Sequence, residues 1–331
     1  MKKILLLLVT LLTTINFSAC GNEKPVRNDS DKIEVVATIF PAYDWTREII
    51  GDEKNFELTL LGGAGVDLHS FQPTAQDIAK ISTCDVFICV GGESDAWVSD
   101  ALKQSTNKNL VVVKLLDALG NKVKYEEIKA GMQDVKQVNT SSTVHYTHTH
   151  RHHHDSDKVD EHVWLSLRNA QILCDAIADV LIKVESSHEK ALRTNVAAYK
   201  KKLAALDEDY RNTIAAAPDK TLLFGDRFPF RYLVDDYGLK YFAAFAGCSA
   251  ETEASFQTIK FLANKVDELN LHYVMKIDGT THKIAETIVR NTKTKDQKIL
   301  TLDSLQSAGA DEDYVVTMKN NLDVLCEALS K

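Results

Sequence analysis

Several motifs that identify common classes of enzyme are missing from this sequence. It contains no His-Glu-x-x-His segment of the metalloprotease type, and no side chains that we can assign as a nucleophile with its general base. The glycine-rich segment 62–65 lacks the Lys-Ser or Lys-Thr pair that follows a phosphate-binding loop. No two cysteines have the two-residue spacing of a thiolate metal site. These absences argue against catalysis by any of these routes.

Long apolar runs are equally scarce. After the first residues, no stretch approaches the roughly twenty apolar residues that a membrane-spanning helix needs. The run from Ile4 to Leu12 follows Lys2 and Lys3 and is too short to span a bilayer, which is typical of a signal peptide. The run leads into residues 17–20 (FSAC), which resemble the bacterial lipobox, in which the cysteine is acylated and becomes the mature N-terminus.

We therefore predict that residues 1–20 are a lipoprotein signal peptide and that the lipidated Cys20 anchors the protein to the membrane, outside the cytoplasm. Residues 21–32 are polar and contain Pro25, which favours a flexible tether between the anchor and the folded body. The alternative is an ordinary secretion signal with an incidental cysteine.

Basic residues are fewer than acidic ones, 39 against 47, for a formal net charge of −8. Removal of residues 1–19, which carry two lysines, takes this charge to −10. An acidic surface argues against nucleic acid as a partner. With Cys20 assigned to lipid, an odd number of cysteines is left, so at least one thiol stays unpaired within the chain. We interpret these five as small buried side chains, with no disulfide assigned: Cys84, Cys89, Cys174, Cys248 and Cys326.

Short apolar runs alternate with segments of helical spacing in two parts of the chain, 33–113 and 221–302. This alternation predicts a parallel sheet covered by helices in each part. Between them, residues 187–217 are rich in Ala, Leu, Lys and Glu and contain no Gly or Pro, which predicts one long helix. The prediction is an α/β protein with an N-terminal lobe at 33–186 and a C-terminal lobe at 218–331, joined by the long helix.

A histidine-rich tract lies in the long loop predicted at about 125–160. It holds six of the eleven histidines: His145, His148, His150, His152, His153 and His154. Imidazole is a favoured ligand of zinc, copper and nickel, so the tract can collect such ions weakly. A mobile loop loses entropy each time it closes on an ion, so we expect the tight site elsewhere, on rigid elements.

Four side chains are candidates for that tight site. Ligands of parallel α/β sheets bind at the carboxyl ends of strands, and three candidates follow predicted strands. The candidates are His69, Asp226 and Asp303, which follow strands, and His162, which follows the histidine-rich loop. Two imidazoles and one or two carboxylates would make a four-coordinate site between the lobes. Each has an ordinary alternative, such as a surface histidine or an aspartate that caps a helix.

Two segments give these residues a more specific interpretation. Residues 65–74 (GVDLHSFQPT) resemble the first metal-binding motif of the zinc and manganese substrate-binding proteins of bacterial ABC transporters, in which a histidine is followed shortly by Pro-Thr. Residues 160–165 (DEHVWL) resemble that family's second motif, Asp-Pro-His-Val-Trp-Leu, with Glu161 in place of proline. Similarity continues to residues 302–304 (LDS), and the chain resembles the zinc-uptake branch of this family, cluster A-I.

The resemblance implies that His69 and His162 bind the metal from the first lobe and Asp303 from the second. The third family position usually holds His or Glu, but here it is Arg227, which is cationic and cannot coordinate a metal. Either Asp226 takes this role through a shift of one residue, or water fills the position and Arg227 pairs with a nearby carboxylate. We favour Asp226.

The predicted function is therefore binding without catalysis: a monomer captures one ion, zinc by preference, and delivers it to an ABC permease. Nitrogen-rich sites favour zinc and oxygen-rich sites favour manganese, so a manganese-specific protein of the same family is the alternative. A secreted zinc hydrolase is a weaker alternative, supported by ligand type alone. The family resemblance further implies a rigid helical spine with small lobe motions, and a cell-adhesion role could coexist with transport.

Overall fold

Two parallel sheets form the framework of the computed structural model, which describes residues 32–133, 158–249 and 253–330. The first sheet contains Ile33–Ala37 (β1), Phe56–Leu60 (β2), Val86–Cys89 (β3) and Val111–Lys114 (β4). The second contains Thr221–Phe228 (β5), Lys240–Ala246 (β6), Tyr273–Ile277 (β7) and Lys298–Leu302 (β8). Their strand orders are β2-β1-β3-β4 and β6-β5-β7-β8, and every pairing is parallel.

Helices connect the strands and cover the sheets. In the first part of the chain they are Phe40–Ile50 (α1), Ala75–Thr83 (α2), Val98–Lys103 (α3), Leu115–Leu119 (α4) and Leu167–Val184 (α5). The remainder are Glu189–Ala216 (α6), Arg231–Tyr237 (α7), Phe256–Leu269 (α8), Lys283–Arg290 (α9) and Tyr314–Ala328 (α10). Local hydrogen bonds fix the first residues of two helices. Thr74 and Asp77 form a capping box at the start of α2, and Ser166 caps α5.

The long helix α6 connects the two sheets through a continuous apolar stripe. Its buried residues recur at intervals of three or four, as one face of a helix requires: Leu192, Val196, Tyr199, Leu203, Leu206, Tyr210 and Ile214. The stripe belongs to a hydrophobic cluster that also includes residues of both sheets, among them Val35 and Phe224. The two lobes therefore share a core along α6.

Buried hydrogen bonds add to this connection between the lobes. Trp164 Nε1 donates to the Ser304 carbonyl at 2.8 Å, and the Tyr314 hydroxyl donates to the Trp164 carbonyl at 2.5 Å. The Tyr232 hydroxyl donates to the Asp160 carbonyl at 2.9 Å. Because Trp164 and Asp160 flank His162, these contacts fix one of the candidate ligands relative to the second lobe.

The fold class is as predicted: two sheets flanked by helices and joined by one long helix. The helices α4 and α10 were not predicted, and β5 continues past the predicted end at Phe224 to Phe228. No helix in the described ranges is long and apolar enough to cross a membrane. The predictions for residues 1–31, including Cys20, and for the six histidines of the 145–154 tract lie outside the described residues.

Candidate metal site

His69 is held by a short 3-10 turn after β2. The turn spans Leu68–Ser70, and the Asp67 carboxylate caps it by accepting a hydrogen bond from the His69 amide at 2.8 Å. The imidazole Nδ1 is 2.7 Å from the Ser94 hydroxyl, on a second short turn that follows β3. This contact orients the ring and leaves Nε2 facing away from Ser94.

His162 is fully buried and is held by its neighbour Asp160. The Asp160 Oδ1 atom lies 2.9 Å from both the His162 amide nitrogen and the His162 Nδ1 atom. Such a carboxylate fixes the tautomer with the proton on Nδ1, so that Nε2 keeps a free lone pair for a metal.

The two rings present their Nε2 atoms to each other at 3.1 Å. Two ligand nitrogens on a tetrahedral zinc ion, each at a bond length of about 2.0–2.1 Å, are about 3.3 Å apart. The observed separation therefore already matches a pair of zinc ligands. The sequence motifs around residues 69 and 162 predicted this meeting, and the structure brings both side chains to one place.

A third potential ligand completes the cluster, and it is a cysteine. The ligand atoms of His69, His162 and Cys248 all lie within 4.8 Å of one another. Cys248 follows β6, so it reaches the histidines from the second sheet. Among the described residues, neither Asp226 nor Asp303 belongs to a group of this kind.

Two buried carboxylates surround the histidines. Asp160 and Glu161 are each only 1% exposed. Glu161 Oε1 accepts a hydrogen bond from the Ser94 amide at 2.9 Å, while its Oε2 atom has no hydrogen-bond partner within the described ranges and lies 4.0 Å from His69 Nδ1. Neither carboxylate forms an ion pair with a described lysine or arginine within 4.0 Å. Buried charges of this kind are usually paired or bind metals, so the surroundings favour a cation.

Burial also controls the protonation of the ligands. It lowers the pKa of His69 to about 3, with a further contribution from the neighbouring His162 imidazole, so His69 is neutral at physiological pH. Burial and the nearby carboxylates of Glu126, Asp160 and Glu161 raise the pKa of the Cys248 thiol. A neutral imidazole is ready to coordinate, whereas the thiol must lose a proton when it binds a metal.

Arg227 lies at the edge of the site. Its Nη2 atom forms an ion pair with Asp67, whose other oxygen caps the His69 turn, and contacts Gln306 Oε1 at 3.2 Å. Pairing of Arg227 with a carboxylate is one of the two arrangements predicted from the sequence; the other is coordination by Asp226. Asp226 accepts hydrogen bonds from the Thr280 hydroxyl at 2.5 Å and the Ile277 amide at 3.2 Å.

The carboxylate of Asp303 also has a partner outside the cluster. Its Oδ1 atom accepts a hydrogen bond from the Leu305 amide at 2.8 Å. Burial, followed by the nearby charge of Asp278, raises the pKa of Asp303 to about 6. Coordination by Asp226 or Asp303 stays a prediction that would require these side chains to leave their present partners.

Comparisons with known proteins identify the family. Residues 35–328 match the model of the family described as ZnuA, zinc-uptake complex component A, periplasmic. The chain belongs to this family. The zinc-binding lipoprotein AdcA of Streptococcus pneumoniae is 32% identical over 327 residues, which cover 98% of this chain and 60% of AdcA. The zinc uptake protein ZnuA of Bacillus subtilis is 28% identical over 317 residues, 94% of this chain and 93% of that protein.

Solved structures agree with this assignment. The Zn(II)-bound ZnuA-like domain of Streptococcus pneumoniae AdcA has a TM-score of 0.68 and 26% identity, and the match covers 91% of this chain and 100% of that domain. The chain spans about 60% of the length of the AdcA relatives. Family membership confirms the resemblance predicted from the sequence motifs.

Sequence reasoning missed Cys248 as a site residue. It was interpreted as one of five small buried side chains, and the structure has all five as free thiols. That interpretation is right for Cys84, Cys89 and Cys174, which are buried, whereas Cys326 is exposed. The available signal was its position directly after a strand, the same placement that drew attention to Asp226 and Asp303.

Proposed function

We propose that this protein is an extracytoplasmic binding protein that captures a zinc ion between its two lobes and delivers it to an ABC permease. The observation that carries the proposal is the pair of Nε2 atoms of His69 and His162, 3.1 Å apart. Each ring is oriented through its other nitrogen, by Ser94 and Asp160 respectively. This is the arrangement that prepares imidazoles for a metal, because second-sphere partners fix the ring and its tautomer.

Zinc is the proposed cargo in preference to manganese. Imidazole ligands suit zinc, whereas manganese is bound better by sets of oxygen ligands. Asp226 and Asp303 are the predicted oxygen ligands, but both engage other partners. The names of the relatives AdcA and ZnuA, which refer to zinc binding and zinc uptake, support the same choice.

The remaining parts of the proposal rest on the predictions made from the sequence. The lipidated Cys20 would anchor the protein to the membrane, and the histidines of the 145–154 tract would collect ions weakly beside the tight site. We propose that the protein acts as a monomer. The description of the family as a periplasmic component, and the name of AdcA as a lipoprotein, support an extracytoplasmic location.

Zinc titration of the metal-free protein against a competing chelator tests the proposal. We expect one tight zinc ion per chain, and we expect His69→Ala and His162→Ala each to weaken it by about 100-fold or more, since the loss of even an outer-sphere partner costs about 10–100-fold. His282→Ala is a matched control because it removes an imidazole outside the cluster. Equal affinities of all three variants and the unaltered protein would refute the proposed site.

A further inference from the structure

We infer that Cys248 is the third protein ligand of the cargo ion and binds it as a thiolate. The inference rests on the proposed function and deepens it, because it defines the chemical class of ion that the site selects. The family resemblance does not suggest it, since the expected ligands from the second lobe were carboxylates. The inference follows from the geometry of the segment after β6.

The first line of evidence is the convergence of three ligand atoms from two sheets. Cys248 Sγ and one ring nitrogen of each histidine lie within 4.8 Å of one another. With zinc bond lengths of about 2.3 Å to sulfur and 2.0–2.1 Å to nitrogen, tetrahedral N···S separations are about 3.6 Å. A contraction of about 1 Å, within the range of a side-chain rotation, would thus bring all three atoms into coordination.

The backbone before Cys248 is shaped to approach His162. A β-carbon on Gly247 would lie 3.0 Å from His162 Cε1 and 2.8 Å from the Phe228 carbonyl oxygen. The distance to the Phe228 carbonyl is too short for a β-carbon and the distance to His162 leaves it little room, so glycine lets this segment come so close. The Cys248 amide donates a hydrogen bond to Glu126 Oε1 at 2.8 Å, which fixes the next residue. Glycine at position 247 and the hydrogen bond of the Cys248 amide thus hold this segment beside His162.

The second line of evidence is an unsatisfied buried acceptor atom beside the cluster. Glu161 is 1% exposed, and its Oε2 atom accepts no hydrogen bond from any described residue although it lies 4.0 Å from His69 Nδ1. A cation at the cluster would supply the favourable contact that this buried carboxylate oxygen lacks.

Coordination replaces the S–H bond of Cys248 by an S–metal bond and releases the proton to solvent. No oxidant or other co-reactant is needed. A set of two imidazoles and one thiolate favours zinc, cadmium and other thiophilic ions and disfavours manganese, which prefers oxygen ligands. Cys248 thus makes the site selective against manganese, where an aspartate in the same place would not.

Cobalt(II) provides a direct test, because thiolate coordination adds a charge-transfer absorption in the near ultraviolet that imidazole and carboxylate ligands do not produce. With one equivalent of cobalt, we expect this band in the unaltered protein and in Cys326→Ser, which removes an exposed thiol, and no band in Cys248→Ser. Zinc affinity should fall by about 100-fold or more in Cys248→Ser and recover in Cys248→His without the band. Cys248→Asp should narrow the preference for zinc over manganese by at least about 10-fold.

A measurement on the unaltered protein makes the test independent of how the variants fold. One equivalent of zinc should protect Cys248 from alkylation, as located by peptide mass spectrometry, while Cys326 stays reactive. Alkylation of Cys248 at the same rate with and without zinc, or no cobalt band in the unaltered protein, would overturn the inference. If His69→Ala still loses zinc affinity in that case, the proposed function stands without Cys248; if it does not, the proposed function fails as well.

Discussion

Arg227 brings a guanidinium to the edge of a site that we propose for a cation. Its charge contributes to the low pKa of His69, and its ion pair with Asp67 partly neutralises the carboxylate that holds the His69 turn. A positive charge next to a bound cation weakens binding and favours release. Arg227, which cannot be a ligand, would therefore lower the affinity of the site for its cation.

We expect Arg227→Gln to bind zinc more tightly, because it removes a positive charge and leaves the Asp67 carboxylate unpaired beside the site. The gain should be about 10-fold, equivalent to about 1.4 kcal/mol, which is of the order expected for two charges at the effective dielectric constant near a protein surface. Arg231→Gln is the control, since Arg231 pairs with Asp235 and Glu127 outside the cluster. Competition with a chelator at constant ionic strength measures the zinc affinity of both variants. Weaker zinc binding by Arg227→Gln would mean that the ion pair positions His69 more than its charge repels the metal.

A second prediction concerns the buried carboxylate of Glu161. Glu161→Gln keeps an oxygen for the Ser94 amide but removes the buried negative charge, so zinc affinity should fall by about 10-fold. The metal-free variant should unfold at the same or a higher temperature than the unaltered protein, because an unpaired buried carboxylate is costly. Glu93→Gln, on an exposed side chain, is the control. An unchanged zinc affinity would indicate that the carboxylate does not interact with the ion.

Among the elements, the regular ones were predictable and the irregular ones were not. The α6 segment is rich in helix-forming residues, and β3 is a short run of apolar residues that are all buried, so the sequence pattern located both. The end of β5 was missed because its register shifts between Phe224 and Arg227, where a bulge keeps Asp226 and Arg227 within the strand. Cys248 was missed because a single cysteine carries no pattern, and only the three-dimensional approach of Gly247 to His162 gives it a role.

The next prediction concerns Gly247, in the segment that follows β6. In Gly247→Ala, the added β-carbon would collide with the Phe228 carbonyl and crowd His162, so we expect the segment to move away from His162. Zinc affinity should fall by about 10-fold or more as the third ligand is displaced. Gly63→Ala is a suitable control, because a β-carbon at Gly63 would meet nothing within 4 Å. Equal zinc binding by the two variants would contradict a role for the Gly247 approach in the site.

In the whole molecule, stability depends on the core that the two lobes share and not on each sheet by itself. From Lys32 onward the described chain forms one compact unit, and α6 packs against helices from both lobes. Asp44 lies where α1, α6 and α10 meet: its Oδ2 atom accepts hydrogen bonds from the Tyr199 hydroxyl at 3.3 Å and the Tyr314 amide at 3.1 Å. We therefore expect the two lobes to unfold together in a single transition. The protonation state of Asp44 should affect the free energy of that transition.

Burial raises the pKa of Asp44 from 3.8 to about 6, although Arg47 opposes the shift. The folded protein thus holds this proton more tightly than the unfolded chain does. The stabilisation is complete below about pH 4 and is lost as the pH rises through 6, by up to about 3 kcal/mol. Asp44→Asn cannot titrate, so the free energy of unfolding of the unaltered protein, relative to this variant, should decline between pH 4 and pH 7.

Urea denaturation of both proteins across this pH range, with a chelator present to exclude stabilisation by metal, measures the difference directly. Titration of the other carboxylates cancels in the comparison, because both proteins share them. A difference that stays constant from pH 4 to pH 7 would mean that Arg47 keeps Asp44 ionised throughout. In that case the ion pair, and not a protonated carboxyl group, would connect α1 to the long helix and to α10.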